Sequence, residues 1–258
     1  MLFRSLSLDA LGLALDTQPV RALLVSPTLS NPLGGSLPTA ERKRLARLVR
    51  TRGIALIEDV LHNDLAEQED RRRAVRSFDT SGHVMLCGSF SKTLAPGLRV
   101  GWIEAGRWTE PVRRMKMATS GAQTTFVELA MAELLNHTGN EAAFRQMRHT
   151  IAARVDEARR LIAGSFPKGT RVTDPAGGYV LWVEMPRGID SQALFSAALA
   201  ERIAIAPGTL FSATDRYRHC IRLGVGGRWD DTQRHALMRV GELARALMAA
   251  APALREAA

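Results

Sequence analysis

One stretch constrains the fold more than any other: Gly88-Ser-Phe-Ser-Lys-Thr-Leu-Ala-Pro-Gly-Leu-Arg-Val-Gly-Trp102. It follows the apolar run His83-Val-Met-Leu-Cys87, which reads as a buried strand. A lysine just past such a strand is costly unless it is neutral, paired or covalently engaged. Small hydroxyl residues around Lys92 suggest an anion site, and Arg99 offers a fixed fork for a phosphate. Two plainer readings compete. A nucleotide-binding P-loop needs Gly-x-x-x-x-Gly-Lys, but Phe90-Ser91 stand where the cradle glycine belongs. A lysine snorkelling from a strand end accounts for Lys92 alone, but not for the whole string through Arg99 and Gly101.

Around this stretch, short apolar runs alternate with helical patterns. Val20 to Val25, Ile54 to Ile57, the run into Lys92, and Val100 to Glu104 read as strands. Leu8 to Leu15 reads as a short helix. Thr39 is placed to cap a helix whose apolar positions, Leu45, Leu48 and Val49, recur at helical spacing, and Gly53 stops it. Residues 66 to 82 are polar and arginine-rich and read as a surface excursion. Trp108 to Ala118 and Thr125 to Leu135 are helical, and Glu141 to Ile162 is a long helix ended by Gly164 and Pro167. Beyond it the pattern changes. Thr170 to Thr173 and Tyr179 to Glu184 flank Asp174-Pro-Ala-Gly-Gly178 as a hairpin-like pair. A helix over Ser191 to Arg202, strands at Ile203 to Ala206 and His219 to Val225, and a helix from Asp230 follow. The alanine-rich tail after Met248 is expected to fray. The expectation is an α/β domain with a mostly parallel sheet over residues 1–145, then a small α+β domain over residues 146–258.

The chain has 258 residues and a net charge of +9. That charge invites a nucleic-acid reading. However, the excess arginines are scattered over helix faces such as Glu41-Arg-Lys-Arg44 and are interrupted by acidic residues, so solvated faces are the better account. No helix-turn-helix or zinc finger is visible in the sequence. No apolar run reaches membrane-spanning length, and Met1-Leu-Phe-Arg-Ser5 is too short in apolar content for a signal peptide. Cys87 and Cys220 sit in apolar strand-like runs without ligand spacing. They read as buried thiols of a reducing, cytoplasmic setting, with no metal site implied.

Three further residues carry candidate chemistry. Asn31 lies beside Pro32 just beyond a strand; it is either a plain Asn-Pro turn or an amide aimed at a ligand. Asp59 ends a buried strand, where α/β sheets place ligands, although Glu58-Asp59 could equally cap the following loop. Arg222, in Cys220-Ile-Arg-Leu-Gly224, sits inside an apolar strand and needs an anion. That anion is either an internal carboxylate or the carboxylate of a substrate.

Ser89-Phe-Ser-Lys92 through Pro96-Gly-Leu-Arg-Val-Gly101, together with Ser30-Asn-Pro-Leu-Gly34 and Glu58-Asp59, resembles the lysine loop and flanking motifs of class I/II aminotransferases, the fold-type-I pyridoxal-phosphate (PLP) enzymes. More narrowly, it is similar to the aminotransferase-like half of MocR/GntR-type regulators and to aminotransferases of the kynurenine and 2-aminoadipate type. The resemblance covers nearly the whole chain, with its motifs in the family's order. It implies a PLP Schiff base at Lys92, which then shuttles the α-proton, and phosphate contacts from Ser89, Ser91 and Arg99. It implies that Asn31 donates to the ring oxygen, that Asp59 pairs with the pyridinium nitrogen, and that Arg222 binds the substrate carboxylate. His62 stands where the family usually has a tyrosine donating to the ring oxygen; an imidazole can make that bond but titrates near neutrality. Gly177-Gly178 and Ala206-Pro-Gly208 also match family loops near the substrate, though as sequence they are simple turns.

The resemblance further implies transamination between an amino acid and a 2-oxo acid in a homodimer. The alternative is a PLP-binding effector domain of a transcription regulator with little turnover, touching DNA only through an upstream domain absent from this chain. The family's glycine-rich phosphate turn and its ring-stacking aromatic are not found here, so the chain is expected to be a truncated piece that binds PLP poorly by itself and leaves sheet surface uncovered.

Overall fold

The computed structural model describes residues 6–94, 96–137 and 139–256; the readings made for Met1 to Ser5 fall outside them. Contacts divide the chain into two units. The first holds the chain up to Ser30 and Gly35–Arg148, and the second holds Asn31–Gly34 and the chain from His149 onward.

Helix α1 (Leu8–Thr17) opens the first unit, capped by the Ser7 side chain, which accepts the Ala10 N–H. Strand β1 (Ala22–Val25) leads through the Asn31 turn to helix α2 (Thr39–Arg52). Thr39 is the first helical residue and does not cap: Pro38 holds the cap position without a side-chain bond, its ring having set the extended entry. At the other end Gly53 adopts φ 64°, its N–H returns to Arg50, and the Ile54 N–H returns to Val49. The apolar stripe of α2, with Leu45, Ala46 and Val49 buried, packs with Leu8, Ile54, Leu56, Val75 and Val84 into one core cluster.

Strands β2 (Ala55–Asp59) and β3 (Val84–Ser89) run parallel to β1, and β4 (Gly101–Glu104) returns antiparallel beside β3, giving the order β1-β2-β3-β4. The segment between β2 and β3 is not a simple surface excursion. It holds the short helix α3 (Glu69–Arg72) and a 3₁₀ turn over Val75–Phe78, and Ala66, Val75 and Asp79 are buried. The cause is Glu58, fully buried on β2, whose carboxylate accepts the Val75 N–H at 2.7 Å and the Arg76 N–H at 2.8 Å. Arg42, also fully buried, donates to the carbonyls of Leu37, Arg73 and Pro27. A polar-looking stretch is thus pinned inward by backbone bonds that sequence pattern does not display. Helices α4 (Thr109–Thr119) and α5 (Thr125–Asn136) follow. Helix α6 (Asn140–Ser165) begins in this unit and continues into the second.

The second unit is an antiparallel sheet of β5 (Arg171–Val172), β6 (Val180–Glu184), β8 (Cys220–Gly224) and β7 (Ala206–Pro207), in the order β5-β6-β8-β7. Helix α7 (Ser191–Ala200) is capped by Asp190, whose carboxylate accepts the Gln192 N–H at 2.8 Å. Helix α8 (Asp231–Glu256) closes the chain, continuing through the tail expected to fray after Met248. Leu181, Trp182, Val183, Ile221, Leu194 and Val240 are buried. Cys220 is buried, whereas Cys87 is only half-buried; both thiols are free.

Candidate active site

In the first unit, chemistry gathers at the carboxyl ends of neighbouring strands. Asp59 is the last residue of β2 and lies in register with Cys87 on β3. β3 runs on through Ser89 directly into a 3₁₀ turn, Phe90–Lys92, so Lys92 emerges one turn past the strand next to Asp59's. The lysine is exposed and, among the described residues, its ammonium makes no hydrogen bond. One Asp59 oxygen accepts the Leu61 N–H at 2.9 Å. Glu58 and Asp59 therefore divide their work: the first pins the 75–76 backbone, and the second caps the next loop with one oxygen.

His62, half-buried, follows on that loop. Burial pulls its imidazole below the ordinary value, Asp59 opposes this, and Lys92 adds to it. Asp59 and Lys92 thus both lie within electrostatic reach of the His62 imidazole. The Cys87 thiol is pushed up by burial and by the charges of Asp59 and Glu58. It is a neighbour of the carboxylate that the strand pattern flagged only as buried.

The serines are built into the turn itself. Ser89 Oγ lies 2.9 Å from Ser91 Oγ and 3.0 Å from the Val100 carbonyl oxygen, and it accepts the Ser91 N–H at 3.1 Å. These bonds fold the chain sharply after β3 and tie it to the start of β4. Arg99 closes the loop in the left-handed region at φ 57°, an uncommon conformation for a residue with a Cβ. Among the described residues no carboxylate pairs with its exposed guanidinium. Trp102, given no role in the sequence reading, lies across Gly88, where a Cβ would come within 2.8 Å of the indole.

In the second unit, Asn31 and Arg222 meet although 191 positions separate them: Arg222 Nη1 donates to Asn31 Oδ1 at 3.0 Å. That bond orients the amide, so Nδ2 is turned away as a donor. Among the described residues no carboxylate pairs with Arg222, so the internal salt bridge that was one reading of this arginine is not made. Its guanidinium instead lies 5.1 Å from the centre of the Phe211 ring. Tyr179 is close enough that the Arg222 charge opposes the upward push of burial on its phenol.

The class I and II aminotransferase model matches residues 3–240. The chain belongs to that family. It is 33% identical over 237 residues to the "Uncharacterized HTH-type transcriptional regulator YjiR" of Escherichia coli (strain K12), covering 92% of this chain and 50% of that protein. It is 30% identical to the "2-aminoadipate transaminase" of Thermus thermophilus, covering 94% of this chain and 62% of that one. Among solved structures, LysN, the α-aminoadipate aminotransferase of Thermus thermophilus complexed with N-(5'-phosphopyridoxyl)-L-leucine, superposes with a TM-score of 0.86 at 29% identity, covering 94% of this chain and 63% of that one. The chain thus spans about half to three fifths of the length of these relatives. The α/β fold with its parallel-rich sheet is that of the PLP-dependent aminotransferases.

The donor set suits PLP. An aldehyde needs the free amine that Lys92 offers, a pyridinium needs a carboxylate such as Asp59, and a phosphate needs hydroxyls and an unpaired guanidinium such as those of Ser89, Ser91 and Arg99. Among the described residues no three His, Cys, Asp or Glu side chains are grouped to hold a metal, and no helix is long and apolar enough to cross a membrane.

Proposed function

We propose that this chain is the lysine-bearing part of a PLP-dependent aminotransferase-type domain that exchanges an amino group between an amino acid and a 2-oxo acid. The observation that carries the reading is the placement of Asp59 at the end of β2 and of Lys92 one turn past the end of the adjacent β3, with His62 inside the field of both. PLP, when bound, supplies the electron sink that makes an amino acid's α-proton removable. Lys92 takes that proton and returns it, an amine acting as base and then as acid. Asp59 orients and keeps protonated a ring nitrogen, and Ser89, Ser91 and Arg99 bind a phosphate. His62 and Asn31 donate to a ring oxygen, and Arg222 pairs with the substrate carboxylate.

The test is to load with PLP a protein that carries this segment over the full length of its relatives, reduce with borohydride and map the peptides by mass. The cofactor's mass should sit on the peptide containing Lys92. A label on Lys116 or Lys168, or no label, sinks the assignment.

A second reading is favoured by the names of several relatives, YjiR and the Staphylococcus aureus regulator NorG among them. In it this is the PLP-binding effector half of a cytoplasmic transcription regulator, with DNA held by another domain. Labelling at Lys92 without measurable amino-group exchange across a panel of amino acids would select it. We also propose a homodimer, because apolar side chains on β1, β4, α4 and α5 are left facing solvent.

A further inference from the structure

Phe211 is absent from the roles given above, yet the second unit is built to hold it in place. It ends the 3₁₀ turn Gly208–Phe211 that follows β7. The turn starts at a glycine because a Cβ at position 208 would lie 2.1 Å from the Tyr217 carbonyl oxygen and 2.8 Å from that of Cys220. Only a residue without a side chain can bring the turn so close to that backbone. The Phe211 ring is met edge-on by Trp182, with centroids 5.7 Å apart at 81°, and Trp182 is met in turn by Tyr217 at 5.3 Å and 83°. Trp182 is fully buried and lies opposite Arg222 in the β6–β8 register. The Arg222 guanidinium sits over the Phe211 ring at 5.1 Å.

We propose that Phe211 is a positioning residue for Arg222: its ring is a shelf that fixes the plane of the guanidinium, so that the N–H groups not given to Asn31 face a substrate carboxylate. This rests on the reading above that Arg222 binds that carboxylate. A guanidinium carries five donors in a fixed fork, and bidentate pairing demands that the fork be oriented. An arginine reaching from an apolar strand without a carboxylate partner has several rotamers open to it. An aromatic face beneath the cation removes most of them and shields one side from water. The Asn31 bond holds one corner of the fork, and the ring holds its plane.

The experiment uses the full 258-residue chain with pyruvate, a simple 2-oxo acid, as the probe. Affinity is read from backbone amide shifts along β8, and guanidinium mobility from relaxation of the Arg222 Nε–H signal. The wild type should titrate saturably and Arg222→Gln should not. Phe211→Leu should weaken pyruvate about 3- to 30-fold, loosen the Nε–H signal before any ligand is added, and leave the thermal midpoint nearly unchanged. Phe211→Tyr, which keeps the ring, should keep wild-type affinity. If Phe211→Leu fails to fold, Phe211→Met takes its place in the same comparison. Wild-type affinity in the ringless variant, with Arg222→Gln inactive, would overturn the shelf and leave the carboxylate reading standing. Equal weakening in the Leu and Tyr variants would overturn it too, because the ring's face would not be the cause. A titration that survives Arg222→Gln, or a wild type that does not titrate, would remove the carboxylate reading and the shelf together.

Discussion

The two units solve the same problem, burying a four-stranded sheet, with different success. In the second unit every strand but the short edges is covered: β6 holds Leu181, Trp182 and Val183 in its core, and α6, α7 and α8 supply Ile151, Leu194 and Val240. In the first unit β4 has all four residues exposed, α4 buries none of its side chains, and α5 buries only Met131. Leu24 on β1 is 72% exposed and Phe126 on α5 is 79% exposed. Scattered apolar residues on a surface need no account, but a run of them across two edge strands and two helices does. The unit with the candidate cofactor chemistry therefore leaves more apolar side chain exposed than the unit with Arg222. Glu58 and Arg42 add buried polar anchors to the first unit's apolar core, tying the 75–76 backbone and the Pro27, Leu37 and Arg73 carbonyls.

The largest expected effect tests whether the chemistry is separable from the packing. Lys92→Ala should abolish borohydride-dependent PLP labelling altogether while leaving the far-ultraviolet spectrum and unfolding midpoint close to wild type, because the lysine is exposed and bonded to nothing among the described residues. Residual labelling elsewhere at wild-type yield would count against the site. Next in size is the packing contrast itself. Trp182→Ala should cost about 3–5 kcal/mol, read as lost hydrogen-exchange protection on β6. Phe126→Ala should cost no more than about 0.5 kcal/mol, read on β2. A cost at Phe126 comparable to that at Trp182 would mean that α5 is covered in solution, and the contrast between the units would collapse. Third is Glu58→Gln. Its amide can accept one of the two backbone N–H groups but must face the other with a donor, so a loss of about 1–3 kcal/mol is expected, centred on residues 75–79. No loss there would show that the segment between β2 and β3 holds by its apolar contacts alone.

The same contrast explains what could be read in advance. Strands and helices were legible because their apolar residues recur at strand or helix spacing, as Leu45 and Val49 do on α2. The order of motifs around Lys92 made the family legible. What stayed hidden was contact made by geometry without a periodic signature. Glu58 and Asp59 are adjacent in sequence yet serve opposite faces of a strand, one inward to Val75 and Arg76, one outward to the Lys92 end. Residues 66–82 read as surface because their side chains are polar, while their buried anchor is backbone. Arg222 signalled a need for an anion, and nothing in a linear pattern announces that its partners are the neutral Asn31 amide and the Phe211 ring. The capping role expected of Thr39 failed because the preceding proline had already fixed the helix entry.

The smallest expected effect sharpens the first unit's side of the comparison, because it asks whether His62 belongs to the Lys92–Asp59 group. Burial depresses the imidazole's pKa, with Asp59 opposing and Lys92 assisting. A depressed value means that the folded chain binds this proton less readily than the unfolded chain. Its contribution to stability is therefore whole above the ordinary 6.5 and is lost as pH falls through the folded value. In wild type the imidazole carbon-bound protons, followed by NMR, should titrate below that ordinary value. Asp59→Asn removes the opposing carboxylate and should move the midpoint further down. Lys92→Met removes the assisting ammonium and should move it back up. Opposite displacements in the two variants would place all three side chains in one electrostatic cluster. A His62 midpoint indifferent to both substitutions would detach it from the site and leave Asn31 as the only candidate donor to a ring oxygen.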